Sequence, residues 1–472
     1  MPEMFPLRRF SKNVALVAED ESLTYEQLWA ESEAFAEKIG RRCLLFLLCQ
    51  NVPAAIIAYA GCLNNGIVPV MLDSNLEEGL LSRLVEIYRP DYVWQPKTWK
   101  EFLGMERKAS VRDYVLWQRK EGESAPLNDD LALLMTTSGS TGSPKLVRLS
   151  YGNIRANTKS IIKYLDINEQ ERAITNLPLH YVYGLSIVNT HLYSGASLVV
   201  TEKTMFQKEF WQLFKEKEIT SLAGVPYTYE MLERLCFFRM ELPSLCTITQ
   251  AGGKLDPELH RKFAEYAQAV GKHFVVMYGA AEATARMGYL PYEYSLRKYG
   301  SIGIAIPDGN FELEGETGSI IEEPDIVGEL IYHGPNVMMG YAQCGEDLSR
   351  GDEMHGVLRT GDLAKRDEEG FYTIVGRKKR FLKMFGKRTN LEEVEQILRQ
   401  HFQLVEIACG GMDDRLYVFL TQESLDKEVV LYLRKKLGLH PSAIFVKQLE
   451  EIPKNASGKT LYKDLERYYV KG

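Results

Sequence analysis

Residues 43–72 read CLLFLLCQNVPAAIIAYAGCLNNGIVPVML, and their punctuation decides the fold class. The apolar run Cys43–Cys49 is short enough for a buried strand. Residues 54–65 then carry a helical pattern, which Asn64-Asn65-Gly66 stops, and IVPVML (67–72) reads as a second strand. Strand, helix and strand at this spacing predict a βαβ unit and a sheet of substantial parallel character. Upstream, LTYEQL (23–28) starts a helix reaching about Ile39, with Thr24 and Gln27 spaced as a capping box. Downstream, strand-like AITNLPL (173–179), ASLVVT (196–201), ITSLAGV (219–225), TITQAGG (247–253) and HFVVMYG (273–279) repeat the pattern. Several of these run into glycine-containing loops, where open α/β sheets place their ligands.

After about Tyr299 the texture changes to short alternating segments rich in Gly, Glu and Pro, as in a β meander. Residues 358–380, LRTGDLAKRDEEGFYTIVGRKKR, read as two strands around a charged turn. From about 380 a small α+β unit is expected, with helices near 390–400 and 425–437. The predicted architecture is α/β. A large N-terminal body, residues 1–378, holds mixed, largely parallel sheets flanked by helices plus a β-rich portion. A small mobile C-terminal α+β domain, residues 379–472, follows a boundary near Gly376–Arg380.

The 472 residues carry 57 basic and 64 acidic side chains, a net charge of −7, so no bulk positive field recruits nucleic acid or an anionic membrane. The N-terminal MPEMFPLRRFSKN has no apolar core of a secretory signal. No apolar run approaches the ~20 residues of a membrane-spanning helix. The seven cysteines, at 43, 49, 62, 236, 246, 344 and 409, give neither a disulfide framework nor a metal-binding pair. Buried thiols in a reducing cytoplasm are expected.

Chemistry concentrates first in Thr136–Lys145, TTSGSTGSPK, where six of ten residues are hydroxylated. Thr137, Ser138, Gly139, Ser140, Thr141 and Gly142 can offer backbone N–H groups and hydroxyls to phosphate oxygens, and the glycines permit close approach. Lys145 adds a mobile positive charge. A flexible Ser/Gly linker is the competing reading, but ALLMTT just before it reads as a buried strand. The loop is no Walker A motif, because Pro144 and Leu146 flank the lysine where glycine and Ser/Thr are required.

This loop resembles the phosphate loop of the adenylate-forming superfamily of acyl-CoA synthetases, peptide-synthetase adenylation domains and luciferases. Further matches follow in the family's order: GGKL (252–255), YGAAE (278–282), GELIYHGPNVMMGY (328–341), RTGDL (359–363), GRKKRFLKMFGKR (376–388) and PKNASGKTLYKDL (453–465). The resemblance covers most of the chain and implies an ATP- and Mg²⁺-dependent enzyme that joins a carboxylic acid to AMP, releasing pyrophosphate. It implies that Gly253, Tyr278 and Gly279 border the nucleotide, that Glu282 holds magnesium, and that Asp362 and Arg377 hold the ribose and phosphate. Lys459 then bridges the substrate carboxylate and the α-phosphate as the catalytic lysine. Lys379 falls at the hinge of a rotating C-terminal domain, Gly386 in a thiol tunnel, and His180, Tyr181 and Gly252 along the acyl pocket. The run Arg377–Arg388, with seven basic residues and no acidic one, would otherwise read as a nucleic-acid patch.

One departure stands out. The family usually carries threonine before the magnesium-binding glutamate, and this chain has Ala281. A hydroxyl contact to the α-phosphate is therefore absent or comes from elsewhere, with Thr284 the nearest candidate. Family members that act on α-amino acids usually place an aspartate in the acyl-pocket segment to pair with the ammonium; none lies between Ala173 and Ala196, so the resemblance implies a substrate other than a free α-amino acid. Lys254 could meet a polar substrate tail or stand solvated. The acyl acceptor is expected to be CoA, with a phosphopantetheinyl acyl carrier protein as the alternative. A degenerate nucleotide-binding homologue is the reading from outside enzymology.

Overall fold

The Thr24 hydroxyl accepts from the Gln27 N–H at 3.2 Å, and the Gln27 side chain accepts from the Thr24 N–H at 2.8 Å. That capping box starts the helix Tyr25–Ile39, which ends at Gly40. In the computed structural model the described residues are 3–99, 104–136, 145–378, 380–384, 387–402, 406–412, 414–422, 424–455, 458 and 460–469. The deciding stretch folds as read: strand Leu44–Cys49, helix Pro53–Asn64 and strand Val68–Asp73, with the two strands parallel. The helix is buried along nearly its whole length, so its apolar residues show no stripe.

The chain divides into two compact units, Met1–Phe311 with Tyr332–Leu358, and Glu312–Ile331 with Arg359–Gly472. The boundary read from the sequence, between 378 and 379, falls inside the second unit. In the first unit, one sheet of nine strands has a parallel centre: His273–Tyr278, Thr247–Gln250, Ser221–Gly224, Arg172–Ile174, Ser197–Val199 and Val14–Val17 lie side by side. A second sheet, of eight strands, contains the parallel set Leu131–Thr136, Val68–Asp73, Leu44–Cys49 and Tyr92–Pro96. One core runs from the second sheet (Leu45, Leu47, Met71, Leu133) through the helices Pro53–Asn64 and Val182–Ser194 to the first (Leu16, Leu198). Consecutive strand ends at Gly224, Gln250 and Tyr278 therefore line one edge of the first sheet.

The second unit includes the expected hairpin, in which Val357–Arg366 pairs antiparallel with Tyr372–Arg377. Its C-terminal part holds the helices Leu391–His401 and Asp426–Leu437 against the strands Ile407–Met412, Arg415–Leu420 and Ile444–Gln448. The basic run is partly spent inside this unit. Arg377 pairs with Asp362, Lys378 with Glu329 and Arg380 with Glu395, while the Arg380 guanidinium also stacks on Tyr462. Seven free cysteines are present; Cys236 and Cys246 are exposed, contrary to the expectation of buried thiols. Among the described residues no helix is long and apolar enough to cross a membrane.

Two buried imidazoles brace the first unit. His260 accepts at Nδ1 from the Gly300 N–H (3.1 Å), which leaves Nε2 to donate to Ser295 Oγ at 3.0 Å. His191 Nδ1 lies 2.9 Å from the Ile187 carbonyl and so carries the proton. Burial pushes the pKa of each down to about 4. Both stabilise the fold fully above the unfolded value near 6.5, and that stability is lost as pH falls toward 4. Urea unfolding at pH 7 and pH 5 should show a loss of about 2 kcal/mol per imidazole, reduced by one such increment in a His260→Gln variant.

Candidate active site

The loop after strand His273–Tyr278 is the tightest part of the first unit. A Cβ built on Gly279 would stand 1.8 Å from the Ala285 carbonyl oxygen, so only glycine fits where the chain doubles back. Thr284 and Ala285 take positive φ values, 62° and 150°. Met287 N–H closes the loop on Tyr278 O at 2.8 Å. The buried Asn336 amide donates to both Ala283 O and Arg286 O at 2.8 Å, and its oxygen accepts from Tyr332 Oη at 2.7 Å. The Glu282 carbonyl accepts from the Met338 N–H. Residues 336–341, quoted above only as part of a motif, thus hold the glutamate loop in place.

Three charged or polar groups meet there. Tyr341 Oη donates to Glu282 Oε1 at 2.8 Å, and Lys145 Nζ sits 3.2 Å from the centre of the Tyr341 ring. Tyr341 reaches this place because Gly340–Ala342 pairs with Leu146–Ser150, directly after Lys145. Burial, and next the Glu282 carboxylate, hold the Tyr341 phenol well above its usual range. Sequence reading passed over Tyr341; its place in GELIYHGPNVMMGY was the available signal. The hydroxyl sought from Thr284 points inward, donating to Asn336 O at 2.6 Å in a buried position. It is committed to the scaffold and does not replace the threonine missing at Ala281.

At the neighbouring strand end, Gln250 donates to the carbonyls of Ala251 and Gly253 and sets the Gly252–Gly253 turn. Gly252 has φ 85°, and a Cβ there would stand 2.5 Å from Tyr181 Oη. Tyr181 and Gly252 therefore share one wall, with Gly253 packed near Pro226. Tyr278 is half-buried, its ring tilted against Phe311. Asn51 pins the approach to His180, accepting from the Leu179 N–H and donating to Leu177 O. His180 Nε2 lies 3.7 Å from Asp73 Oδ2; burial pushes its pKa below the ordinary histidine value, and Asp73 partly offsets this.

In the second unit, Asp362 and Arg377 are register partners, and Arg377 Nε donates to the buried Asp362 Oδ1 at 2.7 Å. Arg377 is mostly exposed. Thr137, Ser138, Gly139, Ser140, Thr141, Gly142, Lys379, Gly386 and Lys459 lie outside the described residues.

The first-unit set fits a magnesium nucleotide. Among the described residues no three metal-ligating side chains stand together. A magnesium ion held through one carboxylate, phosphate oxygens and water needs no such cage, and Glu282, half-buried in the loop after the strand, is the residue that would hold it.

Comparison with known proteins agrees. The family described as AMP-binding enzyme matches residues 6–342, and the chain belongs to it. Among its relatives, the 2-succinylbenzoate–CoA ligase of Bacillus subtilis is 26% identical over 473 residues, 96% of this chain and 95% of that protein. The indoleacetate–CoA ligase of Aromatoleum aromaticum is 28% identical, over 75% of this chain and 71% of that protein. The structure of the Bacillus subtilis O-succinylbenzoate coenzyme A synthetase with ATP and magnesium shares the fold, at a TM-score of 0.79 and 24% identity over 99% of both chains.

Replacing Asn336 with alanine leaves the buried Ala283 carbonyl and the Tyr332 hydroxyl unpaired, and the Arg286 carbonyl with Asn157 alone as its donor. We expect a loss of about 3 kcal/mol in chemical unfolding, with nucleotide affinity falling in parallel as Glu282 loses its place.

Proposed function

We propose that this protein activates a carboxylic acid with ATP, giving an acyl-adenylate and pyrophosphate, and passes the acyl group to the thiol of CoA. The meeting of Lys145, Tyr341 and Glu282 at the edge of a parallel sheet carries this reading. The CoA-ligase relatives support the acceptor. A cytoplasmic setting suits free ATP and CoA.

The carboxylate oxygen attacks the α-phosphorus, a P–O bond forms, and the bond to pyrophosphate breaks. The CoA thiolate then attacks the acyl carbon, and AMP leaves with the carboxylate-derived oxygen. Negative charge builds around phosphorus in the first step, so fixed donors aimed there lower the barrier more than they tighten substrate binding. In this reading Lys459 is that donor, and residues 137–142 with Lys145 hold the outgoing phosphates. Magnesium, held by Glu282, neutralises phosphate charge when bound. Tyr341 holds Glu282 in its rotamer. Tyr278, Gly279 and Gly253 border the adenine, and Asp362 with Arg377 takes the ribose. His180, Tyr181 and Gly252 form the acyl wall. Lys379 is the hinge about which residues 379–472 move to bring the Gly386 segment to the thiol.

Acid-dependent pyrophosphate release, measured with and without CoA, tests the proposal. Thioester formation supports it. Release that only a phosphopantetheinyl carrier protein accelerates reassigns the acceptor, and ATP binding without release under any condition overturns it. Lys459→Ala should lower acyl-adenylate formation on the order of 10²-fold or more while ATP affinity stays within about threefold. Because Thr284 is committed to Asn336, Ala281→Thr should restore a phosphate contact and raise the adenylation rate, by roughly up to 10-fold. A fall in rate would show that the alanine makes needed space.

A further inference from the structure

Arg286 is buried in the first unit at 3% exposure, yet no carboxylate pairs with it among the described residues. Its Nε points to Met277 Sδ, one Nη to Ala285 O and the other to Ser186 Oγ, each at 3.3 Å. Its guanidinium lies 4.0 Å from the Tyr183 ring centre. The two oxygen contacts are longer than the usual ~2.9–3.0 Å of an N–H···O bond, and the other neighbours, Met277 Sδ and the Tyr164 hydroxyl, are likewise neutral. A guanidinium cannot shed its charge, and an uncompensated buried charge is costly. A methionine would fill the space at lower cost, so packing does not account for the arginine.

The same guanidinium lines an internal cavity of ≈ 40 Å³ between the helices Tyr151–Leu165 and Val182–Ser194 and the parallel strands. That is room for a small functional group. Its walls are mainly apolar, from Ile161, Leu165, Ile174 and Ala223. Glu171, also in the lining, is engaged by the Thr220 hydroxyl. An apolar cluster joining Tyr183, Ala223 and Met277 to Ala251 and Tyr181 connects the cavity to the wall at Gly252. Apolar and aromatic side chains therefore separate the wall at Gly252 from the cavity, and a substrate chain reaching past Tyr181 would meet Arg286 beyond them.

Resting on the adenylation reading, we infer that the acid activated here carries a second carboxylate, which the Arg286 guanidinium receives at the inner end of the acyl pocket. The planar fork suits a carboxylate bidentately, and a lysine there would offer only a point charge. Arg286 is then a specificity-determining residue remote from the reacting carboxyl group.

The test is pyrophosphate release with CoA on matched acids: hexanoate against adipate, and 3-phenylpropionate against its 2-carboxy, 4-carboxy and 4-carboxamide derivatives. We expect at least one dicarboxylate to exceed both its monoacid and its neutral amide in kcat/KM on the order of 10²-fold. Arg286→Gln and the space-filling Arg286→Met should reduce that preference to within about threefold, chiefly by raising KM for the dicarboxylate, and Arg286→Lys should recover part of it. The melting temperature of Arg286→Met should equal or exceed that of the wild type, since a lone buried charge is removed. Wild-type preference for monoacids or the amide, or a dicarboxylate preference that survives Arg286→Met, overturns the assignment and leaves adenylation intact. Silence toward every acid while ATP still binds overturns the adenylation reading, and the assignment with it.

Discussion

The Asn336 side chain satisfies the Ala283 carbonyl and, together with Asn157, the Arg286 carbonyl, neither of which the loop after strand His273–Tyr278 pairs by itself. That loop is built against preference, with two non-glycine residues at positive φ and a glycine pressed on the Ala285 carbonyl. Such a conformation persists only where surrounding bonds over-determine it. Asn336 supplies them, and its own oxygen is fixed by Tyr332. Both ends of the proposed chemistry hang on this loop, since Glu282 faces Tyr341 and Lys145 on one side while Arg286 lines the internal cavity on the other.

The same segment ties the loop to the phosphate-binding region. Residues 336–342 run from Asn336 through Tyr341 to Ala342, and the last three, Gly340–Ala342, pair with the strand that begins just after Lys145. Arg148 on that strand is completely buried and donates to the carbonyls of Met339 and Tyr341, with Glu353 as its ion-pair partner. Lysine, tyrosine and glutamate therefore approach one another through a backbone ladder and not through loop flexibility. Pre-organisation of this kind matters where charge must be met without rearrangement during the reaction.

Local signals in the sequence located most of this. The Thr24–Gln27 capping box, the Asn64-Asn65-Gly66 stop and the repeated strand–helix spacing are local physics, and the elements form where those signals put them. The hairpin that pairs Asp362 with Arg377 was legible from a charged turn between two alternating runs. Asn336, Tyr341 and Arg286 were not legible as site residues, because their roles depend on partners 50 or more positions away. The rival reading of the basic run, a nucleic-acid patch, fails for a related reason. Charge counted along a chain does not reveal that Arg380 is stacked on Tyr462 and paired with Glu395.

Ala281 and Thr284 show how the two levels interact. As sequence, a threonine three residues on can stand in for one that is missing. As structure, a residue at φ 62° with its hydroxyl 2.6 Å from the Asn336 carbonyl is part of the lock that shapes the loop. Withdrawing it would leave a buried carbonyl unpaired, a cost of about 1–3 kcal/mol, comparable to the one phosphate contact it would gain. The exchange brings no net benefit, so the Thr284 hydroxyl stays with the scaffold. Glu282 escapes this conflict, because its partner Tyr341 comes from the paired segment Gly340–Ala342 outside the loop.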